Sequence, residues 1–98
     1  MGNFSELISS PMPVIVDFYA DWCGPCQAMS PMISELAAQM QGKARIVKVN
    51  IDKNKDAARF YNIESVPTFI IFKAGRIVWR HSGTLDKTTL QQQIAAFS

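Results

Sequence analysis

Residues 14–26, VIVDFYADWCGPC, decide the fold. The first six, Val14 to Tyr19, are β-branched or aromatic, and apolar on both faces except at Asp17. Such a run reads as a central strand covered on both sides. Beyond the second cysteine, Met29, Met32, Ile33, Leu36, Ala37 and Met40 recur at spacings of three and four. That is one apolar stripe of a helix, with Gly42 as its stop. Pro31 lies inside it, lacks an amide donor and is expected to kink it. Residues 45–52, RIVKVNID, read as a second strand. Strand, helix and strand over this distance form a βαβ unit, so the two strands run parallel with a right-handed crossover.

The flanks complete the pattern. Phe4, Leu7 and Ile8 suit one or two helical turns that stop before Pro11 and Pro13. Lys55 to Tyr61 reads as a short helix with Asn54 at its N-cap. Thr68 to Lys73 and Arg76 to His81, linked by Ala74 and Gly75, read as an antiparallel hairpin. Asp86 suits the N-cap of a last helix that presents Leu90, Ile94 and Phe97 on one face. The expected class is α/β, with a mixed four-stranded sheet and helices on both faces.

Composition narrows the function. The chain has 98 residues, which suits one domain spanning 1–98. Hydrophobic residues make up 48% and charged residues 18%, a globular balance that argues against disorder. A net charge of +2, with scattered basic residues, gives no reason to expect nucleic acid. No apolar run approaches the ~20 residues of a membrane span. No basic segment followed by an apolar one opens the chain, so a cytoplasmic location is the expectation. A chain from which a leader had been removed would read the same.

The 2 cysteines, Cys23 and Cys26, are too few and too close for a disulfide-stapled secreted scaffold. They lie between the first strand and its crossover helix. Cys23 then falls at a helix N-terminus, where free amide groups and the helix dipole favour a thiolate. The dipole contributes at most about 2 kcal/mol. Cys26 is one turn on, nearer the core and within bonding reach. This suggests a division of labour, with Cys23 attacking a substrate disulfide and Cys26 resolving the mixed disulfide. Pro25 falls in the first helical turn, where a missing N–H is tolerated. The alternatives are a structural disulfide and half of a zinc site. The disulfide would close too short a loop to restrict the unfolded chain much. Zinc needs about four ligands, and the only other soft or imidazole ligand is His81.

Asp17 interrupts an apolar strand, and burial would raise its pKa. Lys48 interrupts the strand expected beside it. Asp17 reads as a proton acceptor for Cys26, tuned by Lys48; the alternative is a backbone-bonded Asp17 and a solvated Lys48 on a sheet edge. Pro67 before a strand suits a strand opening or a special turn.

The segment from Val14 to Cys26 resembles the thioredoxin family. So do Pro31 in the helix, residues 48–52 (KVNID), Val66-Pro67-Thr68 and Gly83 after the last strand. The resemblance runs from about Phe4 to Ser98. It implies a thioredoxin fold and dithiol-disulfide exchange without a cofactor or metal. It also implies Cys23 as nucleophile, Cys26 as resolving thiol, Asp17 as buried acid-base group and Lys48 as its neighbour. Pro67 would be a cis-proline facing the disulfide. Trp22, Gly24, Pro25, Val66 and Gly83 would form an apolar docking surface, with the Val66 backbone offered to an extended substrate segment.

Three departures stand out. The family's usual N-terminal strand has no counterpart in this sequence, which would leave residues 45–52 at a sheet edge. Gln27 stands where the family often has Lys, and Tyr19 where it often has Trp.

The function expected from the resemblance is general protein-disulfide reduction by a monomer. Its partners would be oxidised proteins and the family's flavin-containing thioredoxin reductase. The rival readings are an exported disulfide oxidase or isomerase, and a non-enzymatic binding subunit.

Overall fold

Four strands form a single sheet in the order β2-β1-β3-β4, seen in a computed structural model that describes residues 2–98. The elements follow as α1 (Gly2–Ile8), β1 (Val14–Tyr19), α2 (Gly24–Gln39), β2 (Arg45–Asn50), α3 (Lys55–Phe60), β3 (Thr68–Lys73), β4 (Arg76–Ser82) and α4 (Lys87–Ala96). β1 runs parallel to β2, with Asp17 opposite Lys48, and antiparallel to β3, with Asp17 opposite Phe69. β2 is an edge strand among the described residues, as the sequence implies.

Two cores form because β1 and β3 are apolar on both faces. Successive side chains of a strand point to opposite sides. Ile15, Phe69 and Ile71 therefore meet Met29, Ile33 and Leu36 of α2 and Leu90 and Ile94 of α4. Val14, Val16, Phe18, Ile70 and Phe72 meet Ile8 on the other side, where Phe4 and Leu7 of α1 and Tyr61 and Ile63 beyond α3 also pack. Helices thus cover both faces. Asp17 falls between Ile15 and Tyr19 in this alternation, so its side chain enters the layer beneath α2.

Several boundaries differ from the sequence reading. β2 ends at Asn50 rather than Asp52, because the Asn50 Oδ1 accepts from the Asp52 and Lys53 amides (2.9 and 3.3 Å) and turns the chain. α3 ends at Phe60 rather than Tyr61, which takes the C-cap position. Asn54 precedes α3 but makes no capping bond; its Nδ2 donates instead to the Asn50 carbonyl at 2.9 Å. β4 continues to Ser82, whose partner is Thr68. A register shift between Ile71 and Phe72 leaves Val78 as the extra residue of a bulge, and Val78 and Trp79 both pack on the α2–α4 side. Asp86 caps α4, its Oδ1 accepting from the Thr89 amide at 3.2 Å.

At the hairpin, Ala74 and Gly75 both have positive φ, +52° and +82°, the pattern of a type I′ turn. Glycine adopts this freely, but alanine does so at a cost of about 1–2 kcal/mol. Asparagine tolerates the left-handed region better. Ala74→Asn is expected to stabilise the protein by about 0.5–1 kcal/mol. A urea midpoint that stays put or falls contradicts this.

Candidate active site

The turn from β1 into α2 builds the centre of the site. Cys23 is the N-cap of α2, with Pro25 in the helix's opening turn, where it forfeits no helical hydrogen bond. Capping residues normally offer an oxygen to a free amide. Here the Cys23 Sγ takes that place and accepts from the Cys26 amide at 3.1 Å. The same N–H would favour a thiolate at Cys23 once the pair is reduced. Cys23 and Cys26 are joined as a disulfide, with their Cα atoms 5.3 Å apart. Both are buried beside Ala20, with Tyr19, Ile51 and Val66 packed around them.

The loop before β3 closes over the pair. The Val66 carbonyl oxygen lies 3.7 Å from the Cys23 Sγ, and the Val66–Pro67 bond is cis. The Pro67 carbonyl accepts from the Gly83 amide at 2.8 Å, which brings the end of β4 into the same region. Gly83 has φ +103°, a conformation closed to most L-residues. Trp22 is 69% exposed, and its Nε1–H donates to the Asp52 Oδ2 at 2.9 Å. Gly24 and Pro25 are also exposed, and Val66 is half-buried. Cys23, Val66, Pro67 and Gly83 therefore come together from three separate segments. Trp22, Gly24 and Pro25 adjoin them along the chain.

Asp17 and Lys48 are register partners, but their side chains part. Asp17 is 5% exposed, and its Oδ1 is buried with no hydrogen-bond partner. Burial pushes this carboxyl up to about 6, while the Lys48 charge pulls the other way. Lys48 is exposed; its Nζ donates to the Ser30 Oγ at 3.3 Å and lies 4.5 Å from the Tyr19 ring centroid. Lys48, Ser30 and Tyr19 line a cavity of about 410 Å³ that also borders Cys26. The cavity is lined by Cys26 and not by Cys23. Ser30 and Asp52 join the site without a role read from the sequence, and Tyr19, noted there only as standing where the family often has Trp, joins it as well. Asp52 is 30 residues from the indole it accepts from, so no local pattern could link them.

No group of three or more His, Cys, Asp or Glu side chains suited to a metal occurs among the described residues. No helix there is long and apolar enough to cross a membrane.

Comparison with known proteins agrees with this geometry. The family model described as Thioredoxin matches residues 1–96. Thioredoxin 1 of Nostoc sp. is 47% identical over 89 residues, covering 91% of this chain and 83% of its own. Thioredoxin of Synechocystis sp. is 41% identical over 97 residues, covering 98% and 91%. The X-ray structure of Fasciola hepatica thioredoxin superposes with a TM-score of 0.90 at 33% identity, over 99% of this chain and 93% of that one.

Proposed function

Because this chain belongs to the thioredoxin family and is a protein-disulfide reductase, a thiol-disulfide oxidoreductase, we propose that Cys23 is its nucleophile and Cys26 its resolving thiol. The observation that carries this assignment is the Cys26 amide directed at the Cys23 Sγ, at the N-terminus of a 16-residue helix. That N–H and the helix dipole both favour negative charge on Cys23.

The reaction balances in two exchanges. The Cys23 thiolate attacks one sulfur of a substrate disulfide; that S–S bond breaks and the departing thiolate takes a proton. Cys26 then loses its proton to the Asp17 carboxylate and attacks the Cys23 Sγ. The mixed disulfide breaks, the second substrate sulfur leaves as a thiolate that takes up the proton given to Asp17, and the Cys23–Cys26 disulfide remains. Two electrons have passed to the substrate. Asp17 suits this role because burial brings its pKa to about 6, near neutrality, and Oδ1 has no competing donor.

We assign substrate docking to Trp22, Gly24, Pro25, Val66, Pro67 and Gly83. An extended substrate segment would pair with the Val66 backbone beside Cys23. We further propose that the chain acts as a single domain and a monomer in the cytoplasm. A flavin-containing thioredoxin reductase would return electrons to the disulfide there. Lys48 tunes Asp17 by opposing the larger effect of burial.

Insulin disulfides, with dithiothreitol as the electron source, provide the test. The expected result is catalytic acceleration of insulin reduction over dithiothreitol alone. A rate equal to the uncatalysed one overturns the proposal.

A further inference from the structure

We propose that Ser30 is a positioning residue for disulfide reduction: its hydroxyl, with the Tyr19 ring, holds the Lys48 ammonium in the cavity beside Cys26 and off the Asp17 carboxylate. This rests on the reading of Asp17 as the proton acceptor for Cys26.

Strand register places Lys48 directly beside Asp17, on the same face of the sheet. A buried carboxylate oxygen without a partner is costly, and the nearest cation would ordinarily pair with it. Yet the Asp17 Oδ1 has no partner, and the Lys48 Nζ reaches past it to the Ser30 Oγ and the Tyr19 ring. A hydroxyl acceptor and an aromatic face are each modest attractions for an ammonium. Together they hold the long Lys48 side chain toward the C-terminal end of β1, where the cavity opens onto Cys26. Ser30 lies one turn beyond Cys26 on α2, so the helix that carries the resolving thiol also carries the tether.

The consequence is electrostatic. A direct ion pair with Lys48 would hold Asp17 ionised and make it a weaker proton acceptor. Kept apart, the carboxyl feels the Lys48 charge only at a distance, and burial dominates. β3 sets Phe69 opposite Asp17 in register, and the helix over this face, α2, buries the uncharged Cys26, Met29 and Ile33. Once reduced, Cys26 is the one titratable group among these, and the charged residues that line the neighbouring cavity are Lys48 and Asp21.

The test replaces Ser30 with alanine, a better helix former, so the fold is expected to persist. The Asp17 carboxyl is titrated by carbon NMR in the reduced protein. Ser30→Ala is expected to lower its midpoint by about one pH unit, as Lys48 swings onto the Asp17 Oδ1. The resolving step should shift its pH profile in the same direction. Ser30→Thr keeps the hydroxyl and should restore both. In a Lys48→Met background, Ser30→Ala should move neither. An unchanged or raised midpoint in Ser30→Ala overturns the proposal, as does an equal shift without Lys48. The titration reads the carboxyl itself, so it decides the role of Ser30 even if Asp17→Asn proves to leave the resolving rate intact, the result that would remove the proton-acceptor reading.

Discussion

Cys23→Ser is expected to reduce turnover of insulin disulfides by about three orders of magnitude or more, to the background rate of the electron donor alone. The size follows from chemistry rather than packing. A serine hydroxyl at this position is protonated at neutral pH, and an alkoxide cannot take the place of the thiolate in a disulfide exchange. The helix N-terminus and the Cys26 amide would still be present, with no sulfur to act on. The substitution is nearly isosteric, and Ser is itself a favoured N-cap. The folded state should therefore lose little stability, and the loss of turnover would report on the nucleophile. Turnover within tenfold of the parent chain would contradict the assignment of Cys23.

Asp17→Asn is the second large effect, and it has two parts with opposite signs. The resolving step should slow by about 10²-fold at neutral pH, because Asn cannot take the Cys26 proton. Stability should rise. Asp17 has a folded-state pKa of about 6, above its ordinary value near 3.8. The folded protein therefore holds a proton that the unfolded chain has released between those two values. Stability contributed by this group is fully present below about pH 4, falls as pH rises to about 6, and is absent above it. Two pH units correspond to about 3 kcal/mol. Asp17→Asn removes that decline and should stabilise the protein at pH 7 by about 2–3 kcal/mol. Urea denaturation at pH 4, 5, 6 and 7 checks it. A parent stability that rises across this window, or a destabilised variant with a normal resolving rate, contradicts the account.

These two residues also show what the sequence makes legible. Cys23 and Cys26 act at short range; three residues and a helix N-terminus fix their relation, so the spacing reveals it. Asp17 is legible as a charge in a strand that is apolar on both faces, and period-two alternation then sends it beneath α2. The same periodicity carries β1, β3 and the stripe of α2 through to the sheet and its two cores.

What was hidden depends on where side chains and loops lie in space. Pattern alone carries β2 on to Asp52, since Ile51 and Asp52 continue the alternation. The turn made by the Asn50 side chain ends it two residues earlier. Asn54 looks like a cap for α3, yet the Asn50 carbonyl takes its amide. The direction of Lys48 is set by Ser30 on another element, 18 residues away in the chain. The Val66 carbonyl over Cys23 spans 43 residues. No local pattern contains such pairings, and they carry much of the detail that surrounds the two sulfurs.

The central claim is that Cys23, and not Cys26, makes the covalent bond to substrate. The most direct measurement is peptide mapping by mass spectrometry of the adducts that the single-cysteine variants form with an oxidised protein substrate. Cys26→Ser should accumulate a stable mixed disulfide whose linkage maps to Cys23, while Cys23→Ser accumulates little or none. A stable adduct mapping to Cys26 in Cys23→Ser, with none at Cys23 in Cys26→Ser, would contradict the account.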